Sequence, residues 1–338
     1  MMSIAWLLAA VGLGAFLLTA LIRRYALSRL MDIPNARSSH SVPTPRGGGV
    51  AIVCAFLVAL TGLWFSGLVA GDDYLALAGG GLLVALIGFI DDHRHVPARW
   101  RLLGHFAAAV WVLAWLDGLP LMVVAGLPIC SPWLLLPVAA VYLVWLLNLY
   151  NFMDGIDGIA ALEAIAVCLA MCAIYLIGGH GQAVIVPLLL VAAVVGFALW
   201  NFPPAKIFMG DAGSGFLGLT LGALSLQGAW LQADYLWAWV IVLGVFVVDA
   251  TVTLLRRLLN GEKVYQAHRS HAYQHAARRL GRHLPVTLAS VAITLGWLLP
   301  VALCVVRLGL DGVLGVVIGY LPLVGLALWY GAGRTERA

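Results

Sequence analysis

Four side chains able to bind a cation follow one another at a spacing of three: Asn148, Asn151, Asp154 and Asp157. They come directly after an apolar run, Trp133 to Leu147, and two glycines, Gly155 and Gly158, interrupt them. Amide and carboxylate oxygens suit a hard divalent ion and a polar ligand. On a continuous α-helix a step of three turns the chain by about 300°, so Asn148 and Asp157 would fall on opposite sides. The glycines predict that the helix ends here and the backbone tightens or turns, so that all four groups line one pocket.

Four other stretches carry similar chemistry. Asp91 and Asp92 close an apolar run and are followed by Arg94, Arg99 and Arg101. Adjacent carboxylates there repel each other and call for a compensating cation, either an arginine or a metal. Lys206-Ile-Phe208-Met-Gly210-Asp211-Ala-Gly213-Ser-Gly215 puts an aspartate among glycines where a helix begins, the pattern of an anion-binding helix start with a metal-binding carboxylate built in. No Gly-Lys-Ser/Thr accompanies it, so it is not a nucleotide-binding P-loop. Between Asp32 and Gly49, three prolines forbid a continuous helix and Gly47, Gly48 and Gly49 let the backbone approach a ligand closely, with Arg46 beside them as a phosphate contact. His268, Arg269, His271 and His275 follow later; the histidine spacing suits a helical metal site, but no carboxylate or cysteine lies next to it, and phosphate or sugar contact is the stronger expectation. Asp249, within an apolar run, should face a cavity or a partner such as an arginine.

Together these groups suit a substrate that is both phosphorylated and metal-bound. Phosphoryl transfer needs a cation to offset the repulsion between phosphate oxygens and an anionic nucleophile, and positioning supplies much of the rest. Oxygen ligands select Mg²⁺, or Mn²⁺, over zinc.

The elements that must position these residues are membrane helices. Of 338 residues, 63% are hydrophobic and 10% charged, with a mean hydropathy of +1.01. At about 20 apolar residues per crossing, this composition predicts an all-α polytopic membrane protein forming one domain over 1–338. Eleven spans are expected at 4–22, 48–69, 74–90, 102–117, 133–149, 156–178, 183–200, 213–231, 235–256, 285–306 and 311–331, with a short outer β-hairpin near 119–129 turning at Gly126. With the N-terminus outside and the C-terminus in the cytoplasm, eighteen of the nineteen Lys and Arg fall on the inner side and only Arg307 outside, counting Arg37, Lys263 and Arg337 among the inner ones. The +4 charge is then a membrane effect and does not point to nucleic acid. The first span has no positive flank before it, so it is expected to be retained and not cleaved. The five cysteines form no C-x-x-C pair and are expected to pack.

Asn148-x-x-Asn151-x-x-Asp154-Gly-x-Asp157-Gly, Asp91-Asp92, Lys206-Ile-Phe-Met-Gly-Asp211-x-Gly-Ser and Pro43-Thr-Pro-Arg46-Gly-Gly occur together in the stretch from residue 32 to about 280. The set resembles the polyprenyl-phosphate N-acetylhexosamine-1-phosphate transferases of glycosyltransferase family 4. The resemblance implies transfer of a sugar-1-phosphate from a UDP-N-acetylhexosamine to undecaprenyl phosphate, with Mg²⁺ required and UMP released, in a bacterial cytoplasmic membrane and with no nucleic-acid partner; it also suggests a homodimer. By position, Asp91 and Asp92 would handle the lipid phosphate, one of them as base, and Asp211 would be catalytic and, with Asn151, hold Mg²⁺. Asn148, Asp154, Asp157 and Phe208 would contact the nucleotide, Phe208 by stacking on uracil. Arg46, Arg99, Arg101, Lys206, His268, Arg269 and His271 would bind substrate. The peptidoglycan members carry adjacent histidines in the last inner loop, whereas this chain has His268-Arg269-Ser-His271, a form similar to the O-antigen-initiating branch. The alternative from another class is an ion-coupled secondary transporter with polar residues at broken helices. Missing repeat symmetry and polar groups gathered at one face oppose it.

Overall fold

The computed structural model describes residues 4–34, 42–124, 126–129, 131–262 and 268–334. Arg37, Lys263, Arg337 and Cys130 of the readings above lie outside the described residues. Within them the chain forms fourteen α-helices and two small antiparallel ribbons. In order, the elements are α1 (Ile4–Arg29), β1 (Met31–Asp32), β2 (Thr44–Pro45), α2 (Val50–Phe65), α3 (Gly71–His93), α4 (Ala98–Trp115), β3 (Met122–Val124), β4 (Leu127–Ile129) and α5 (Pro132–Met153). There follow α6 (Ile159–Ile177), α7 (Ile185–Asn201), α8 (Asp211–Leu231), α9 (Ala233–Val242), α10 (Gly244–Leu259), α11 (Ala272–Leu280), α12 (Leu284–Ile293), α13 (Leu299–Leu308) and α14 (Gly312–Tyr330).

A helix lies over each of the eleven expected spans, but by length and composition seven helices can cross a membrane, or eight with α9 and α10 taken as one. The 16-residue α2 is too short for that test, and α4 and α8 also fall outside it. Span 235–256 is not one helix: α9 and α10 meet at a 66° bend beside Gly244. A Cβ on Gly244 would stand 2.7 Å from the Tyr320 ring, so the glycine makes room for α14 at the bend. The α12 and α13 segments join through a π-helical turn, Thr294–Leu298. Pro300 follows it; proline has no N–H to return to the preceding turn, and the wider turn accommodates the loss. The hairpin is present, with Met122 opposite Ile129 and Gly126 at φ +77.

The bundle is organised around α8, where every residue from Ala212 to Leu226 is buried. Its glycines explain how. Gly215 approaches Leu147, Gly218 the Leu146 backbone and Gly222 Leu143, so α5 lies close along one side. On the other side, Gly81 of α3 meets the Phe216 ring and Gly88 meets the backbone of Asp211 and Ala212. Small residues let helices approach closely where lipid offers no hydrophobic drive for association. This packing delivers the ends of α3 and α5 to the start of α8.

Candidate active site

Four helices meet at that end of the bundle. Asp91 from α3, Arg101 and His105 from α4, Asn148, Asn151 and Phe152 from α5, and Asp211 from α8 line one cavity. Arg101 Nη1 donates to Asp91 Oδ2 and lies 3.4 Å from Asp211 Oδ2, so one guanidinium bridges the two carboxylates. Asp91 also accepts from the Val96 N–H at 2.7 Å. Asn151 Nδ2 donates to Ser214 Oγ at 3.2 Å, one turn along α8 from Asp211. Asn148 Nδ2 donates to Val144 O at 2.7 Å. Thus Asn151 and Asp211, sixty residues apart in sequence, share one wall of the site. His105 and Phe152 belong to the same wall without having been singled out; an isolated histidine or phenylalanine in an apolar run has no periodic signal.

Asp92 faces elsewhere. Its carboxylate accepts the N–H groups of Asp211 at 3.2 Å and Ala212 at 3.3 Å, so it caps the start of α8. The anion at this helix N-terminus is therefore the protein's own Asp92, and the expectation of an open anion-binding helix start is corrected. Arg46 Nη2 donates to the Asp92 carbonyl at 2.7 Å and its Nε stands 3.9 Å from Asp92 Oδ1, which places Arg46 against Asp92. The glycines beside it approach protein, not ligand: Gly48 N–H donates to Phe208 O at 2.9 Å, Gly49 N–H to Met209 O at 2.8 Å, and a Cβ on Gly49 would lie 2.4 Å from Gly213 Cα. The loop carrying Arg46 is thus fastened to the loop carrying Phe208.

A second cavity, ≈ 450 Å³, lies on the far side of that junction and is walled by Asp157, Phe208, Pro204, Thr44, Arg282 and His283. The four residues at spacing three therefore do not line one pocket. The α5 helix ends at Met153, as the glycines imply, but only Asn148 and Asn151 reach the first cavity; Asp157 lines the second. Asp157 Oδ2 accepts the Ala205 N–H at 3.0 Å, tying the two loops together. Asp154 lines neither cavity, and burial with the charges of Asp211, Asp92 and Asp157 holds its carboxyl well above the usual range. Lys206 and Arg99 line neither cavity. The Lys206 ammonium lies 5.6 Å from the centre of the Trp200 ring, and the Arg99 guanidinium 5.7 Å from that of Trp100.

The histidines are not arranged as a helical metal site, because α11 begins at Ala272, after both His268 and His271. His271 caps that helix, and its Nδ1 lies 3.2 Å from Asp249 Oδ1. Asp249 also accepts the N–H groups of Ala272 at 2.9 Å and Tyr273 at 2.8 Å; its partners are His271 and the start of α11, not an arginine. His268 stacks on His271 at 4.9 Å, and Phe152 lies stacked with His271 at 6.5 Å. Burial, with His271 and Arg257 nearby, pushes the His268 imidazole down to about 3. Arg269 is held through its carbonyl, which accepts from Arg278 Nη2 at 3.0 Å. This assembly borders the first cavity through Phe152.

Among the described residues no three His, Cys, Asp or Glu side chains form a ready cage for a metal. The donors still fit Mg²⁺, which is commonly held by one or two carboxylates plus substrate phosphates and water. Asp211 and Asn151 supply such oxygens, and the first cavity admits ≈ 20 Å³ of water-sized space, about enough for one water or ion. Arg101 Nε and His105 Nδ1 are buried there without a hydrogen-bond partner among the described residues.

Residues 74–229 match the model of the family described as glycosyl transferase family 4. The probable undecaprenyl-phosphate N-acetylglucosaminyl 1-phosphate transferase of Bacillus subtilis is 29% identical, over 77% of this chain and 74% of the relative. SCO3672 of Streptomyces coelicolor, provisionally named a glycosyltransferase, is 30% identical over 95% of this chain and 73% of the relative. The phospho-N-acetylmuramoyl-pentapeptide-transferase of Streptococcus pneumoniae serotype 19F is 26% identical over 78% of this chain and 83% of the relative.

Proposed function

Since the chain belongs to glycosyl transferase family 4, the polyprenyl-phosphate hexosamine-1-phosphate transferases, we propose that it moves N-acetylhexosamine-1-phosphate from a UDP-sugar to undecaprenyl phosphate. The reaction takes place at the cytoplasmic face of a bacterial inner membrane, releases UMP and starts O-antigen or a related polysaccharide. The observation that carries this reading is the convergence of Asp91, Arg101, Asn151 and Asp211 on a space the size of one ion.

An oxygen of the lipid phosphate attacks the sugar-bearing phosphorus of the donor; the new P–O bond forms as the bond to the UMP oxygen breaks, and UMP leaves with that electron pair. A phosphate monoester has a second pKa of about 6 and is already largely ionised near neutral pH. Asp91 therefore orients the acceptor together with Arg101 and need not remove a proton. Asp211 and Asn151 would hold Mg²⁺ or Mn²⁺, which would supply positive charge to offset the negative charge of the phosphate oxygens. Asp92 keeps the α8 start, and with it Asp211, in place. The His268-Arg269-Ser-His271 sequence supports a simple N-acetylhexosamine donor over a muramoyl-pentapeptide.

Purified protein with Mg²⁺, undecaprenyl phosphate and a panel of UDP-N-acetyl sugars should release UMP without any vesicle gradient. Asp211→Asn should lower turnover by orders of magnitude. Silence with every donor, under conditions in which a related enzyme works, overturns the reading.

A further inference from the structure

The reaction as derived leaves one polar stripe unused. On α12 and at its two ends, His283, Thr287, Ser290 and Thr294 follow at intervals of four, three and four, which puts them on one helix face. Each meets the start of α6 or the loop before it. His283 Nδ1 lies 3.2 Å from Asp157 Oδ1, and Thr287 Oγ1 donates to the Asp157 carbonyl at 2.9 Å. Ser290 Oγ donates to Glu163 Oε2 at 2.8 Å and Thr294 Oγ1 to Glu163 Oε1 at 3.0 Å.

Glu163 is 0% exposed and lies in the first turns of an otherwise apolar α6. A carboxyl group inside a membrane bundle is costly, and apolar residues would pack these two helices as well. What directed hydrogen bonds add is register: both Glu163 oxygens are satisfied in one position of α12, and a shift along the axis would strand them. The register sets the beginning of α12, where Arg282 and His283 wall the second cavity opposite Phe208. That cavity offers an aromatic face for a flat base and an imidazole and guanidinium for its carbonyl or phosphate oxygens.

We propose that His283 binds the donor nucleotide in the second cavity and that Glu163 is a positioning residue which, through Ser290 and Thr294, holds α12 in the register that puts His283 there. The inference rests on the transferase reading and adds to it two residues from outside the family's motifs.

The test uses the full-length protein in detergent and four variants: His283→Ala, His283→Gln, Glu163→Ala and Glu163→Gln. UMP release gives KM separately for donor and lipid acceptor, calorimetry gives the affinity for UMP, and thermal melting reports folding. His283→Ala should raise the donor KM and the UMP Kd about tenfold, the scale of one lost hydrogen bond to a polar ligand, leave the acceptor KM within about twofold, and be partly rescued by His283→Gln. Glu163→Ala should raise the donor KM in the same way, and Glu163→Gln, which still bonds both hydroxyls, should restore it. A folded His283→Ala with unchanged donor KM and UMP affinity overturns the inference, as does a Glu163→Ala that shifts both KM values equally. If the wild type binds UMP but turns over no donor, the transferase reading fails while UMP binding by the variants still decides the role of His283. If the wild type does not bind UMP, both fall.

Discussion

Gly88→Ala tests whether helix contact positions the acids. Gly88 lies one turn before Asp91 on α3, and a Cβ there would stand 2.5 Å from Ala212 N, Asp211 C and Asp211 O. All three are backbone atoms, so no side chain can swing aside, and ordinary contact distance requires α3 and α8 to part by about 1 Å. Overpacking of this kind costs about 1–3 kcal/mol of stability. The displacement falls where Asp91 and Asp211 meet, and a shift of about 1 Å in a reacting group can cost about a hundredfold in rate. The expected result is a protein that still folds, with a modestly lower melting temperature and a turnover for UMP release about a hundredfold below wild type. Gly14→Ala on α1 is the control, since a Cβ there meets nothing within 4 Å; it should leave turnover unchanged. If Gly88→Ala turns over within about threefold of wild type, the close approach of α3 to α8 does not set the geometry of the acids and the reasoning is refuted.

Chelation should abolish UMP release, and Mg²⁺ or Mn²⁺ should restore it while Zn²⁺ does not; undiminished turnover after exhaustive chelation would contradict the Asp211 and Asn151 ion site. Asp249→Ala removes the acceptor for His271 and for the first N–H groups of α11, so stability should fall by about 1–3 kcal/mol and limited proteolysis should cut earlier between α10 and α11; an unchanged cleavage pattern argues against this docking role. His268 is held near 3 in the folded protein against about 6.5 when unfolded. The unfolded state binds more protons between these values, so the contribution of His268 is complete above about pH 6.5 and is lost as pH falls. The rise in melting temperature from pH 4.5 to 6.5 should therefore be shallower in His268→Gln, and an identical slope counts against it.

Much of the fold is local and was legible as such. Apolar runs mark the helices, Gly155 and Gly158 follow the end of α5, and Gly126 marks the hairpin turn, because each depends on neighbours a few residues away. The residue types of the site were legible too: acids, amides and basic residues stand out in one set of segments, and Asp91, Arg101, Asn148, Asn151 and Asp211 among them line one cavity. Assignment within that set was not. Asp91 and Asp92 are adjacent and chemically identical, yet successive helix positions point about 100° apart, and only the placement of α3 against α8 decides that Asp91 lines the cavity while Asp92 caps a helix. Glycines 47–49 signal close approach without saying to what; the partner of Gly49 proves to be the Gly213 backbone. Nor does one glutamate in an apolar α6 announce hydroxyls more than a hundred residues later. Sequence by itself determined the element types, their breaks and which side chains are able to do chemistry, since these follow from short-range pattern and side-chain identity. Tertiary structure alone decided which groups meet and which way each faces, because those depend on contacts between segments far apart in the chain, closed only when the helices pack.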